Sequence, residues 1–130
     1  MLKKHLYAIA FISWMVFITF SSLYSFEGDD FSSFNIPYGD KLVHFTFYFV
    51  AAVFGFLYLS EANNKQKPDN KIMGILLISL IFFGIIIEVI QEKLTMNRAG
   101  DVFDAMANSI GAFCGIVCIL ALFYWQRRLK

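Results

Sequence analysis

The sequence predicts an all-α fold, a bundle of four transmembrane helices with its N- and C-termini in the cytoplasm. The first observation is composition: 58% of the 130 residues are hydrophobic, whereas soluble domains are usually about 45–50% apolar. The second is that the apolar residues fall into four long segments, with most of the Lys and Arg residues between or outside them. A chain of this length suits one domain, residues 1–130.

Each apolar segment is close to the roughly 20 residues that a helix needs to cross a bilayer. The predicted spans cover about residues 6–24, 42–59, 72–90 and 102–125. Together they leave no polar sequence that could cover them in water. The first span follows Lys3 and Lys4, as a signal peptide would, but it is longer than the usual signal-peptide core of about 7–15 residues. We therefore interpret it as a retained helix.

The charges of the loops predict the orientation, because loops rich in Lys and Arg stay in the cytoplasm. Eight of the eleven basic residues fall on one side of the four spans, and most acidic residues fall on the other. Both termini and the loop 61–71 are therefore predicted to be cytoplasmic. The basic residues on that side are Lys3, Lys4, Lys65, Lys67, Lys71, Arg127, Arg128 and Lys130.

Ionisable side chains at the start of the second span are unexpected, because one at the bilayer centre costs about 2.5–3.5 kcal/mol. Asp40, His44 and Tyr48 are spaced four residues apart, so they share one helix face. We expect Asp40 to be the N-cap of this helix, with Lys41 in its first turn. We interpret Tyr48 as a packing or hydrogen-bonding residue.

The third span ends, and the fourth begins, with similar groups. Glu88 and Gln91 are three residues apart at the end of the third span, which places them on one face. Asp104 and Asn108 are four apart at the start of the fourth. Asp101 precedes them and is a second expected N-cap.

All these groups are predicted to meet in one polar cluster at the outer membrane face. At about 1.5 Å of rise per residue, His44, Glu88 and Asp104 fall in the same layer, and Arg98 lies in the loop directly above. The spans below this layer are almost purely apolar, so we expect no channel or pump. The predicted members are Asp40, Lys41, His44, Glu88, Gln91, Arg98, Asp101, Asp104 and Asn108.

Two features of the fourth span are interpreted as packing. Ala107, Gly111 and Gly115 recur every four residues, and small residues at this spacing let helices approach closely. Packing within the chain is the favoured interpretation, and a homo-oligomer through the same residues is the alternative. Cys114 and Cys118 have no disulfide or zinc-site pattern around them, so we expect them to be small buried hydrophobes.

Three stretches of the chain resemble, in order, the motifs of VanZ-like membrane proteins, and together they cover about residues 38–115. They are Asp40-Lys41-x-x-His44-Phe45-x-x-Tyr48, Glu88-x-x-Gln91, and Arg98-x-x-Asp101-x-x-Asp104-x-x-x-Asn108-x-x-Gly111. The residues 94–97 depart from the pattern, since many relatives carry proline or glycine there. The resemblance implies a multi-pass protein of the bacterial cytoplasmic (inner) membrane.

The family takes its name from an accessory protein that lowers sensitivity to the glycopeptide antibiotic teicoplanin. It does so without the precursor remodelling carried out by its partner enzymes. The resemblance thus implies a cell-envelope role that extends to glycopeptide susceptibility. Because one fold can serve several functions, resistance does not follow from the resemblance alone.

Three functions remain open for the cluster. In the first, which we favour, Lys41, Arg98 and the amides of Gln91 and Asn108 hold an anionic or sugar-bearing headgroup. The expected partners are membrane lipids, among them a lipid-linked cell-wall precursor. Arginine suits forked contacts with phosphate. The sequence predicts no cofactor, and it lacks the basic patch with interleaved aromatic residues that nucleic acids require.

The second possibility is a membrane-embedded enzyme acting on lipid headgroups, in which His44 pairs with Glu88 or Asp104 for acid–base catalysis. The same three residues suit a divalent metal, although no nucleophile motif accompanies them. The third is structural: the polar groups tie the ends of three helices together by capping and pairing. We keep all three, and the enzyme question stays open.

Overall fold

A computed structural model describes residues 2–23, 38–63, 68–94 and 102–128. These residues form four α-helices and contain no strand. The helices are α1 (Leu2–Leu23), α2 (Gly39–Ala62), α3 (Asn70–Leu94) and α4 (Val102–Arg128). All four are long and apolar enough to cross a membrane. The all-α prediction of four transmembrane helices is thereby confirmed, and the chain is a membrane protein.

The helices are mostly longer than the predicted spans, and two of the changed boundaries lie near the polar residues. α3 continues to Leu94, past the predicted end at residue 90, because the glutamine, glutamate and lysine that end the apolar run all favour a helix. α2 begins at Gly39, and its N-cap is Tyr38, which has a left-handed backbone with φ 66° and makes no side-chain cap. The prediction that Asp40 is the N-cap is therefore wrong. Asp40 lies in the first turn, where the positive end of the helix dipole still stabilises its negative charge.

The ring contacts between α1 and α2 show that the two helices are antiparallel. Phe11 stacks on Tyr58, and Trp14 packs edge-on against Phe54 and Phe47. The indole Nε1 of Trp14 also donates a hydrogen bond of 2.9 Å to the backbone oxygen of Phe47.

The most extensive interface in the described bundle joins α2 and α4, which run parallel. It depends on two buried glycines. A methyl group on Gly111 would overlap the backbone carbonyl of Phe45. On Gly115 it would lie 2.8 Å from both the Phe49 backbone oxygen and the Ala52 Cβ. Both glycines serve packing within the chain, as predicted.

An association of two chains through this stripe is a separate prediction, which contacts within a single chain do not test. The remaining member of the stripe, Ala107, is half-buried. Cys114 and Cys118 are free and half-buried on the same helix, in keeping with the apolar packing role expected for them.

The outer surface of the bundle is largely apolar. Large hydrophobic side chains such as Ile12, Phe20, Phe82 and Phe113 are exposed on three different helices, which is the arrangement expected of a protein whose solvent is lipid. α1 lies at the periphery: it packs against α2 and α3, and Ile18 and Ser22 are its two buried residues. The polar residues of interest lie instead on α2, α3 and α4.

Candidate functional site

The stripe of polar residues on α2 faces the interior of the bundle. His44 and Tyr48 are buried, and Asp40 is exposed at the end of the helix. Lys41 has intermediate exposure beside it. The four-residue spacing seen in the sequence therefore does produce one inward face, with a charged pair at its entrance.

Lys41 links this entrance to α4. Its ammonium nitrogen lies 3.2 Å from Asp40 Oδ2 and 3.1 Å from Asp104 Oδ1. Asp104 is almost fully buried, and a buried carboxylate without a nearby positive charge would be strongly destabilising. Lys41 supplies that charge from the neighbouring helix.

Asn108, on α4, contacts side chains of both α2 and α3. Its amide nitrogen donates to Glu88 Oε1 at 3.3 Å, and its Oδ1 lies 3.1 Å from His44 Nδ1. With Glu88 ionised, its carboxylate can only accept, and the contact orients the amide so that Asn108 Oδ1 accepts from His44 Nδ1.

His44 lies between two buried carboxylates from different helices. Its Nδ1 is 3.6 Å from Glu88 Oε1 on α3, and its Nε2 is 3.8 Å from Asp104 Oδ2 on α4. The three residues thus occupy one layer of the bundle, as the counting of helix turns predicts. A metal ion bound to one ring nitrogen of His44 would need both carboxylates near that nitrogen. Glu88 instead faces Nδ1, and Asp104 faces Nε2.

Within the described ranges, no group of three or more His, Cys, Asp or Glu residues has the spacing of a metal site. A metal centre built from His44, Glu88 and Asp104 is therefore not supported by their geometry. The side chains form a hydrogen-bonded network instead, and α2, α3 and α4 each supply at least one of its members.

The structure brings six of the predicted residues into one network, and a binding role for them stays a prediction. They are Asp40, Lys41, His44, Glu88, Asp104 and Asn108. Gln91 is buried on α3 one turn from Glu88. Arg98 and Asp101, the other two predicted members, lie outside the described residues. We call the six residues the polar cluster.

Tyr48 and Gly84 pack against the polar cluster on the side away from its entrance. A methyl group on Gly84 would lie 3.3 Å from Tyr48 Cε1 and 3.2 Å from Asn108 Cβ, so the glycine makes room for both side chains. The hydroxyl of Tyr48 is buried and has no hydrogen-bond partner among the described residues. Sequence reasoning missed Gly84, although it lies four residues before Glu88 and therefore on the same face.

The polar cluster is acidic. Its three carboxylates, from Asp40, Glu88 and Asp104, face the ammonium group of Lys41 and the imidazole of His44. Two of the four donors expected to hold a headgroup, Lys41 and the amide of Asn108, already donate to carboxylates of this chain. Within the described residues, the polar cluster therefore offers acceptors more readily than donors.

A family model described as VanZ/LLP1 matches residues 6–124 of the chain. The match includes all or part of each of the four helices and every member of the polar cluster. No curated protein and no solved structure matches the chain.

Proposed function

The chain belongs to the VanZ/LLP1 family, and we propose on this basis that it binds the headgroup of an outer-leaflet lipid or lipid-linked cell-wall component. The binding site is the polar cluster, and the protein belongs to the cell envelope, in the bacterial cytoplasmic membrane. The observation that carries the proposal is the entrance of the cluster. There the side chains of Asp40 and Lys41 are 43% and 24% exposed, above a buried polar interior.

The distribution of polarity supports a site near one membrane face. The buried ionisable residues of α2, α3 and α4 converge where α2 and α4 begin and α3 ends. Ionisable groups inside a membrane are costly, and they mark functional sites more often than chance. Three of the eleven basic residues fall on this side of the spans, and this scarcity of Lys and Arg supports an extracytoplasmic position for it.

A structural role is the second candidate, and the network itself favours it. Asn108 bonds to both His44 and Glu88, so one side chain on α4 holds α2 and α3 together. Hydrogen bonds between membrane helices average only about 0.6 kcal/mol in one well-studied case. The stabilisation from these hydrogen bonds is therefore small compared with the free energy needed to bury several ionisable groups. For this reason we favour binding over a purely structural role.

Acid–base catalysis is less well supported. His44 is buried, its Nδ1 donates to Asn108, and its Nε2 faces Asp104. A general base must reach the proton that it removes, and both ring nitrogens are directed toward side chains of this chain. We therefore propose binding without assigning a reaction.

The first experiment compares lipids that co-purify with the wild type and with Asp104→Asn. The variant removes the charge that holds Lys41 to α4 and keeps the shape of the side chain. We expect at least one headgroup class, identified by mass spectrometry, to be retained by the wild type and reduced in the variant. Asp69→Asn, a carboxylate change at the opposite end of the bundle, is the control and should leave the profile unchanged.

Folding must be measured on the same preparations, by thermal unfolding in detergent. Identical lipid profiles for the wild type and a folded Asp104→Asn would contradict headgroup binding. A variant that fails to fold would support the structural role instead, and Asp40→Asn, at the exposed carboxylate of the entrance, then tests binding while Lys41 stays paired with Asp104.

The second experiment asks whether the role extends to the cell envelope. Deletion of the gene should change susceptibility to cell-wall antibiotics, with teicoplanin among those tested. Wild type should restore the phenotype, whereas Asp104→Asn should not, although it accumulates in the membrane. Full restoration by Asp104→Asn would show that the antibiotic phenotype does not depend on the polar cluster.

A further inference from the structure

The entrance of the polar cluster presents two opposite charges side by side. Asp40 Oδ2 and Lys41 Nζ are 3.2 Å apart, and both side chains are partly exposed. Leu42 and Val43 follow them on α2, and Val102 and Phe103 lie at the start of α4; all four are exposed and apolar. The charged pair therefore lies beside surface suited to acyl chains, at the level where a lipid headgroup begins.

Among the described residues, the entrance offers a purely anionic headgroup one positive charge beside two carboxylates. Lys41 is the only described cation that approaches the entrance, and it is shared between Asp40 and Asp104. A phosphate group that approaches Lys41 meets the Asp40 carboxylate at the surface and the Asp104 carboxylate beneath. Like charges placed together oppose binding, so a second negative charge on the headgroup would be unfavourable.

A headgroup with both signs of charge matches it better. An ammonium group can donate to the Asp40 carboxylate while the adjacent phosphate accepts from Lys41, and charge-assisted hydrogen bonds of this kind are about twice as strong as neutral ones. Asp104 holds Lys41 from below, at 3.1 Å, so the ammonium of Lys41 stays in place at the entrance while it contacts the phosphate.

We propose that the Asp40–Lys41 entrance binds the zwitterionic headgroup of a phospholipid that carries a primary amine. The ammonium donates its N–H groups to Asp40, and the phosphate accepts from Lys41. This inference rests on the proposed function and names the ligand class for the same site. It also revises the expectation of an anionic or sugar-bearing headgroup, which the sequence based on Lys41, Arg98 and the amides of Gln91 and Asn108 as donors.

The test uses the full chain in lipid nanodiscs of defined composition. Phosphatidylethanolamine is mixed equally with phosphatidylglycerol, which is anionic, or with phosphatidylcholine, which is zwitterionic but has no N–H donor. Lipids that stay bound after extraction are counted by native mass spectrometry. We expect an enrichment of phosphatidylethanolamine of about threefold in both mixtures, within the range set by a single exposed ion pair.

Asp40→Asn should reduce this enrichment to near parity, because the amide carries no charge to attract the ammonium. Asp69→Asn at the opposite end is the control and should keep the wild-type enrichment. Asp40 is partly exposed, so the variant should fold, and its unfolding temperature is measured alongside. Lys41→Gln is a second variant that should weaken retention of both zwitterionic lipids.

Each other outcome overturns a different statement. Equal retention of phosphatidylcholine and phosphatidylethanolamine, or enrichment of phosphatidylglycerol, would overturn the ligand class. Headgroup binding would still stand if Asp104→Asn altered the lipids retained from native membranes. Enrichment that survives Asp40→Asn would place the lipid elsewhere on the surface. The proposed function itself fails only if the native lipid profiles of wild type and folded Asp104→Asn are identical.

Discussion

Lys41 on α2 and Asp104 on α4 form an ion pair across the bundle, with Nζ and Oδ1 3.1 Å apart. The carboxylate is nearly buried and the ammonium is partly exposed. The pair therefore joins the entrance of the polar cluster to its interior. Its energy differs from that of a surface ion pair, because removing either partner leaves the other charge poorly compensated.

A double-mutant cycle measures this relationship. Lys41→Gln, Asp104→Asn and the combined variant are unfolded in detergent, and we expect a coupling free energy of about 1–2 kcal/mol, as for residues in direct contact. The same cycle on Lys41 and Asp40, whose carboxylate is more exposed, should give less than about 1 kcal/mol. Equal coupling in the two cycles would mean that the burial of Asp104 contributes nothing.

Gly111→Ala should destabilise the bundle, because its new methyl group would overlap the backbone carbonyl of Phe45, which cannot rotate away. Overpacking of this kind costs about 1–3 kcal/mol. Gly74→Ala is the matched control, since nothing lies within 4 Å of its added carbon. It should be neutral, or more stable by up to about 1 kcal/mol. Equal unfolding temperatures for the two variants would contradict the close α2–α4 approach.

Asn108→Leu should destabilise the protein by about 1–3 kcal/mol, because it leaves Glu88 and His44 without the side chain that bonds to both. Leucine keeps the number and branching of the side-chain heavy atoms, so the loss reports mainly on hydrogen bonding. Ser109→Ala is the control: its hydroxyl bonds only within α4, to the Ala105 backbone oxygen. If both variants unfold at the wild-type temperature, Asn108 does not hold the three helices together.

Trp14→Phe should lower the free energy of unfolding by about 1 kcal/mol, the usual contribution of one hydrogen bond. It removes the bond from Nε1 to the Phe47 backbone oxygen and keeps an aromatic ring against Phe47 and Phe54. Trp125→Phe, at an exposed position near the end of α4, should have no effect. Thermal unfolding of both variants, followed by circular dichroism, decides between this role and simple packing.

Cysteine labelling in intact cells tests the predicted orientation. In a Cys114→Ala, Cys118→Ala background, Asp40→Cys should react with a membrane-impermeant maleimide added outside. Glu61→Cys, at the opposite end of α2, should react only after the membrane is permeabilised. The reverse pattern would place the polar cluster on the cytoplasmic side and remove outer-leaflet lipids as its ligands.

Much of the bundle could be predicted because membrane spans depend on length and apolarity alone. The alignment of His44, Glu88 and Asp104 in one layer followed from the helical rise, since each residue is a known distance from a helix end. The helix faces followed in the same way: His44 and Tyr48, four residues apart, are both buried.

Other features depend on contacts between helices that a single sequence does not contain. Residue spacing could not show that the amide of Asn108 turns toward Glu88, or that Lys41 is already paired with Asp104. The N-cap assigned to Asp40 was wrong because the left-handed turn at Tyr38 lets the helix begin two residues earlier. Gly84 was missed because its importance lies in what packs against it, Tyr48 and Asn108.

The parallel pairing of α2 with α4 bears on how the chain assembles during synthesis. The two partners are separated in sequence by α3, so the most extensive interface can form only after the last helix has left the ribosome. Until then, α1 and α3 are the neighbours available to α2, with α1 held by the Trp14 hydrogen bond and its aromatic contacts. When α4 is inserted, its glycines allow it to pack closely against the α2 backbone. This step completes the bundle and brings the polar cluster together.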